Sequence, residues 1–172
     1  YMPEFTSATG DPETSQGGHP NVHYTVGAAA AAAAAARAPG RVRVLRTALA
    51  VDAGKAINPD LVRGQVVGGM VQGLGTVLLE DMRFDSKGRL LNPNFSDYKI
   101  PTAMDVPGEV VPIFVEVAQP DGPFGARGMG EHTMIAAAPL VADAVEAAVG
   151  VRFNQMPITA ERVALAVARK EE

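Results

Sequence analysis

Glu131 is the acidic residue whose surroundings point most directly to a reactive site. It follows the glycine-rich run at residues 125–130 and precedes an apolar, alanine-rich stretch with the composition of a helix. Glycine has no Cβ, so the backbone of such a loop can approach a ligand closely, and a helix start favours negative charge. The pattern predicts a carboxylate at the mouth of a ligand-binding loop. The alternative interpretation is that Glu131 only complements the helix dipole.

A second glycine-rich segment, residues 64–75, lies inside a predicted helix. Each glycine in a helix interior costs about 0.5–1 kcal/mol relative to alanine, so this segment needs a compensating contact. Two pairs of these glycines are spaced four residues apart, which places both members of a pair on one smooth helix face. We expect another backbone or a flat ligand to approach closely there. The glycines concerned are Gly64, Gly68, Gly69, Gly73 and Gly75.

Other familiar chemical motifs are not supported by the sequence. Residues 68–73 lack the Lys-Ser/Thr pair of a P-loop, and residues 125–130 only loosely resemble a dinucleotide fingerprint. His19 and His23 are four residues apart, but Pro20 lies between them and no third ligand is evident, so no metal site is predicted. Three hydroxyl residues near the N-terminus lack the Gly-x-Ser-x-Gly setting of a hydrolase nucleophile. They are Ser7, Thr14 and Ser15.

The elements that must position these residues alternate between strand and helix patterns. Residues 41–51 begin with polar and apolar alternation and end apolar, which is typical of a strand that enters a core. The later patterns predict a mixed α/β (α+β) fold in which helices pack on a mixed sheet. In chain order they predict a helix from Pro59 to Leu79 that is capped by Asn58, then a hairpin at 82–91 and a strand at 110–117. A helix at 136–149 follows, which Pro139 kinks or breaks and Gly150 ends. The last predicted helix runs from Ala160 to about Arg169 and is capped by Thr159.

The first 39 residues are interpreted separately from residues 40–172, which are predicted to form one domain. Residues 1–23 are rich in turn-forming types and predict a loop or an arm. The nine alanines at 28–36 have high helix propensity but lie between two β-like stretches. We therefore favour an extended segment, in which alanine stands for side chains of other types, over a true alanine helix.

Composition restricts the possible functions. The chain has 172 residues, of which 47% are apolar and 20% charged, and this indicates a folded domain. A net charge of −4 leaves no basic footprint for nucleic acid or an anionic membrane surface. Without cysteine the chain supplies no thiolate and no iron–sulfur ligand. The alanine run is too short to span a bilayer, and the N-terminus, which lacks a signal-peptide pattern, is interpreted as the start of a fragment.

Four motifs occur in a characteristic order between about residues 40 and 150. They are VDAGKAINP at 51–59, GQVVGGMVQGLG at 64–75, YKIP at 98–101 and GARGMGE at 125–131. Together they resemble the C-terminal part of the molybdopterin-binding subunit of the xanthine dehydrogenase/aldehyde oxidase family, the molybdenum hydroxylases.

This resemblance implies roles for individual residues. Glu131 takes the position of the catalytic base beside molybdenum, and Gln65 that of the glutamine that hydrogen-bonds the pterin. Gly128 and Gly130 would keep the backbone clear of the site. The implied reaction hydroxylates an electron-poor carbon of a small molecule with oxygen derived from water, and the electrons leave through iron–sulfur clusters. No residue of this chain is expected to ligate the metal.

The resemblance also implies that the chain works only in a larger assembly. Its cofactor would be molybdenum–molybdopterin, or the cytosine dinucleotide form, shared with the remainder of the molybdopterin-binding subunit. An iron–sulfur subunit and an FAD subunit are expected partners, and the cytoplasm is the expected location. Arg127 stands where the family often has lysine, which keeps the positive charge. The alternatives are a non-catalytic structural or interaction fragment of the same fold and a generic nucleotide-binding domain.

Overall fold

The computed structural model describes residues 32–35 and 40–171, which form a mixed sheet of three strands covered by helices. This arrangement confirms the predicted mixed α/β fold. The strands are β1 (Ala32–Ala35), β2 (Val42–Asp52) and β3 (Glu109–Val115). The helices are α1 (Pro59–Leu78), α2 (His132–Ile135), α3 (Ala137–Val149) and α4 (Ala160–Glu171).

Strand β2 is the centre of the sheet, with β1 antiparallel on one side and β3 parallel on the other. The parallel register runs from the pair Arg46 and Glu109 to the pair Asp52 and Val115. Both of these strands therefore end at the same edge of the sheet, where the loops that follow them meet. Pro112 lies within β3, which borders the sheet among the described strands, and this agrees with the edge position that its missing N–H predicts.

The alanine run is extended where the structure describes it. Ala32–Ala35 pairs with β2, so the helical alternative is wrong for these four residues. The rest of the run and the candidates His19, His23, Ser7, Thr14 and Ser15 lie outside the described residues. The division into 1–39 and 40–172 stays a prediction.

Helix α1 confirms the prediction to within one residue at its C-terminal end. The Asn58 side chain caps it, because its Oδ1 accepts hydrogen bonds from the backbone N–H groups of Asp60 and Leu61, both at 3.1 Å. The helix contributes to two clusters of buried apolar side chains, one along its N-terminal half and one along its C-terminal half. It contributes Leu74 and Val77 to the cluster with Val44, Val141, Val145, Ile158 and Val163, and Val66 and Met70 to the cluster with Leu49, Val51, Ala136 and Ala137.

The later elements follow the predicted order with shifted boundaries. The helical region is divided at Ala136, three residues before Pro139, and Gly150 ends α3 with φ +68° as expected. Helix α4 begins at the predicted residue, with the Thr159 hydroxyl accepting from Arg162 N–H at 3.3 Å. The predicted hairpin at 82–91 is reduced to an isolated bridge between Phe84 and Leu90.

One stretch, His132–Val149, is long and apolar enough to cross a membrane by length and composition alone. From the sequence, only the alanine run was tested for this property, and no membrane-spanning helix was predicted. In the structure the stretch is divided at Ala136, and its inner face packs in the core through Ala137, Val141 and Val145. One face of this stretch therefore packs within the fold, and 39% of the stretch is buried.

Candidate active site

The glycine-rich loop before Glu131 is attached to the edge of the sheet where β2 and β3 end. Residues 53–55, which follow β2, exchange backbone hydrogen bonds with it: Lys55 N–H donates to Gly125 O at 2.7 Å, and Arg127 N–H donates to Ala53 O at 3.0 Å. Gly54 makes this pairing possible, because its φ is +59° and a Cβ there would overlap with the carbonyl oxygen of Gly125. The motif at 51–59 therefore serves as the anchor of the motif at 125–131.

A buried ion pair strengthens the same attachment. Nη2 of Arg127 lies 3.5 Å from Oδ2 of Asp52, and both side chains are only 7% exposed. The other carboxylate oxygen of Asp52 accepts from the N–H groups of Gly54 at 2.9 Å and Val117 at 3.3 Å. The positive charge expected at Arg127 is thus used in an ion pair with Asp52, at the end of β2. The sequence did not predict this contact.

Glu131 stands at the N-cap of α2 and is exposed on this chain. Its side chain makes no capping hydrogen bond, so local helix capping does not account for its position. The carboxylate is therefore presented outward from the end of the loop.

Gln65 is brought next to this loop, although it lies 66 positions before Glu131 in the sequence. The link is Thr133, which is 1% exposed. Its hydroxyl lies 2.8 Å from the carbonyl oxygen of Gly130 and 3.1 Å from that of Gln65. The side chain of Gln65 itself is exposed, as Glu131 is. The two predicted site residues thus project from adjoining backbone segments, and the residue that joins them was missed because Thr133 belongs to no recognisable motif.

The glycines of the site fall into two groups. A Cβ at Gly69 would overlap with Thr133 Oγ1, and one at Gly73 would overlap with Ala137 Cβ and lie 2.9 Å from Met134 O. This pair confirms the expected close approach of another backbone. The second group faces open space, because a Cβ would meet nothing within 4 Å in the described part of the chain. It consists of Gly64, Gly68, Gly128 and Gly130.

His132 contacts the end of the glycine-rich loop and was not identified from the sequence. It is 9% exposed, and its Nδ1 lies 3.4 Å from the backbone N–H of Gly130, which donates to it. Burial lowers the pKa of His132 from its usual 6.5, because desolvation disfavours the charged ring. The neutral ring can keep an acceptor nitrogen for this hydrogen bond.

The motif at 98–101 braces the far end of α1. The Tyr98 hydroxyl donates to Glu80 Oε2 at 2.6 Å, and this hydrogen bond raises the pKa of Tyr98 above its usual 10.0. Pro101 packs against Gly75, where a Cβ would lie 2.6 Å from the proline ring. This motif therefore helps to position the C-terminal end of the helix that carries Gln65.

The comparisons with known proteins agree with this arrangement. The family model described as the molybdopterin cofactor-binding domain matches residues 3–107, and the chain belongs to that family. It is 40% identical over 124 residues to the putative xanthine dehydrogenase molybdenum-binding subunit of Escherichia coli K12. It is 36% identical over 126 residues to the 6-hydroxypseudooxynicotine dehydrogenase complex subunit gamma of Paenarthrobacter nicotinovorans. Each alignment covers 72% of this chain and 16% of the relative.

Solved structures show the same relationship. Quinoline 2-oxidoreductase from Pseudomonas putida 86 superimposes with a TM-score of 0.70 at 36% identity, over 76% of this chain and 17% of that one. Aldehyde oxidoreductase from Desulfovibrio gigas gives a TM-score of 0.69 at 30% identity, over 76% of this chain and 14% of that one. The resemblance to xanthine dehydrogenase and aldehyde oxidase is confirmed. The chain spans about a sixth of the length of these relatives.

Proposed function

We propose that this chain forms one wall of the active site of a molybdenum hydroxylase. In this role it would help to hydroxylate an electron-poor carbon of a small molecule with oxygen derived from water. The observation that carries the proposal is the Thr133 link, which joins the backbone of Gln65 to the turn that carries Glu131. Family membership and the resemblance of all four motifs support it.

The residues present fit a molybdopterin cofactor. Gly64 and Gly68 each carry a helix penalty of about 0.5–1 kcal/mol, yet no described residue of the chain occupies the space beside them. A flat group from outside would use that space and offset the penalty. Gln65 offers an exposed amide beside it, which can both donate and accept hydrogen bonds. In the loop before Glu131, a Cβ at Gly128 or Gly130 would likewise meet no described residue within 4 Å.

The family resemblance implies that the molybdenum would be held through its pterin and not by residues of this chain. Among the described residues there is no group of three or more histidine, aspartate or glutamate side chains that could hold a metal ion. When bound, the cofactor supplies a Lewis acid and an acceptor for electrons. Glu131 would accept the proton of the attacking water-derived oxygen, because its carboxylate is exposed and makes no capping bond. Gln65 would orient the pterin through its amide.

The remainder of the assembly is proposed from the family. The chain spans 16% of its relatives, so the rest of a molybdopterin-binding subunit would cover the face around Gln65 and Glu131. Iron–sulfur and FAD subunits would carry the electrons away, and the cofactor would be molybdopterin or its cytosine dinucleotide form. We propose a cytoplasmic location.

The direct test is Glu131→Gln in the full assembly. Loss of the base is expected to reduce turnover by about 10²–10⁴-fold, while molybdenum and pterin contents stay at the wild-type level. Glu161→Gln is the matched control, because Glu161 is an exposed acid in the first turn of α4. Normal turnover in Glu131→Gln would exclude the catalytic role and favour the alternative of a structural fragment.

The cofactor assignment has its own test. Metal and pterin analysis of the natively purified complex, with the intact masses of its chains, should find molybdenum, pterin and the expected partner subunits. Gln65→Ala is expected to lower the pterin content of that complex. A complex without molybdenum would overturn the proposal.

A further inference from the structure

Thr133 occupies a position that the proposed chemistry does not yet use. It is 1% exposed and lies two residues after Glu131, in the single turn of α2. Its backbone N–H donates to Gly130 O at 3.3 Å, and its hydroxyl lies 2.8 Å from the same oxygen. Residues 130 and 133 therefore close a compact turn in which Glu131 is held between two fixed points.

The hydroxyl also reaches outside this turn. Its distance to the carbonyl oxygen of Gln65 is 3.1 Å, so the single hydroxyl hydrogen lies between a carbonyl of the loop and a carbonyl of α1. The shorter distance to Gly130 gives that contact the larger share, and the contact to Gln65 completes a three-centre hydrogen bond. Either way the turn that carries Glu131 is tied to the residue that carries the predicted pterin ligand.

Helix α1 is shaped to receive this side chain. Gly69 lies one helical turn after Gln65, and a Cβ at that position would overlap with the Thr133 Oγ1. Gly69 thus leaves space for the hydroxyl, and the carbonyl of Gln65 supplies its acceptor. The pair also explains why a glycine is placed in the middle of a helix where it carries an intrinsic penalty.

We infer that Thr133 is a positioning residue that fixes the Glu131 carboxylate relative to Gln65. This inference rests on the proposed function of these two residues. Gly69 leaves the space on α1 that the Thr133 side chain occupies. A general base must lie within hydrogen-bonding reach of the proton it accepts. A mutation far from the chemistry that misplaces a reacting group by about 1 Å can reduce the rate about 10²-fold. Thr133 provides the contact that prevents such a displacement.

The test compares variants in the full, cofactor-loaded assembly. Thr133→Val keeps the shape and removes the hydroxyl, whereas Thr133→Ser keeps the hydroxyl. Thr76→Val is the matched control, because Thr76 is an exposed threonine on α1 whose hydroxyl also donates to a carbonyl, that of Gln72, at 3.3 Å. We expect Thr133→Val to lower kcat about 10–100-fold with KM, molybdenum and pterin within about twofold of wild type. Thr133→Ser and Thr76→Val should stay close to wild type.

A second readout does not depend on turnover. In Thr133→Val the peptide covering residues 128–135 should exchange its amide hydrogens faster than in wild type, and in Thr133→Ser it should not. If Thr133→Val does not accumulate, Thr133→Ala replaces it in both measurements, because it removes the hydroxyl without a branched side chain.

Three results would overturn the inference: an unchanged kcat in the hydroxyl-free variant, an equal loss in Thr133→Ser, or a fall in kcat that only parallels loss of cofactor. Glu131→Gln, measured in parallel, separates the two proposals. If Glu131→Gln is inactive and Thr133→Val is normal, only the positioning role fails. If Glu131→Gln is fully active, the proposed function fails with it.

Discussion

The two pairs of glycines on α1 have the same spacing but opposite surroundings. Gly69 and Gly73 lie against α2 and the start of α3, where any side chain would overlap with Thr133 or Ala137. Gly64 and Gly68 lie on a different side of the helix, where the described residues leave open space. One pair is explained by packing within the chain, and the other is not.

This difference separates two uses of the same sequence pattern. The closed pair lets two backbones meet and brings Thr133 to the carbonyl of Gln65. The open pair carries a helix penalty that nothing described in the chain offsets, which supports a function in contact with a group or polypeptide from outside. We call the side of α1 that carries Gly69 and Gly73 the closed side, and the side that carries Gly64 and Gly68 the open side.

The largest effect is expected at the sheet end of the loop. Asp52→Ala removes the carboxylate that pairs with the buried Arg127 and accepts two backbone N–H groups. Removing one partner of a buried pair typically lowers the free energy of unfolding by about 3–5 kcal/mol. Urea unfolding of the full-length protein should show this loss. Asp143→Ala is the control, because its ion pair with Arg152 is exposed and should change stability by less than about 1 kcal/mol. Equal losses would show that the loop is not anchored there.

A smaller loss is expected from Gly73→Ala. The added Cβ would overlap with Ala137, and such overpacking costs about 1–3 kcal/mol, which outweighs the helix-propensity gain of about 1 kcal/mol. Ala137→Gly in the same chain should restore part of the stability, because it removes the overlapping atom. A double-mutant cycle measured by urea unfolding gives this coupling. The absence of any coupling would contradict the close contact.

The sequence alone was sufficient for most of the helices and strands and for their order along the chain. Local signals determine these: the Asn58 cap, the Gly150 stop and the alternation at the start of β2 each depend on neighbouring residues. The parallel pairing of β2 with β3 was not predicted, because the register between strands more than 50 residues apart has no local signature.

The contacts that join the parts of the candidate site could not be predicted from the sequence either. Asp52 with Arg127, and Thr133 with Gln65, are pairs separated by 65 residues or more, and neither has a spacing rule. The glycine pairs indicated that something approaches α1, but only the structure shows which pair meets the chain itself. The sequence predicted that Glu131 stands at the mouth of a loop, whereas its exposure on this chain follows from surroundings that a local pattern does not contain.

The closed side should also respond to pH through His132. Burial lowers the pKa of His132, so below about pH 6.5 the unfolded chain takes up a proton that the folded chain does not. Stability is therefore unaffected by this group above that pH and falls as the pH decreases toward the folded pKa. The slope for one proton cannot exceed about 1.4 kcal/mol per pH unit. Urea unfolding at pH 7.5 and lower should show a steeper loss for wild type than for His132→Gln, and parallel losses would exclude the effect.

The smallest change in stability, and the one with the opposite sign, is expected on the open side. Gly64→Ala and Gly68→Ala add a methyl group where the described chain offers no neighbour, so α1 should gain about 0.5–1 kcal/mol per substitution. Cofactor-free protein should then unfold at higher urea concentration. The assembled complex should nevertheless contain less molybdenum and pterin, because the new methyl groups occupy the space that the cofactor or its supporting polypeptide requires. Full cofactor content in both variants would show that this face is not the docking side, and the glycines of the open pair would then need another explanation.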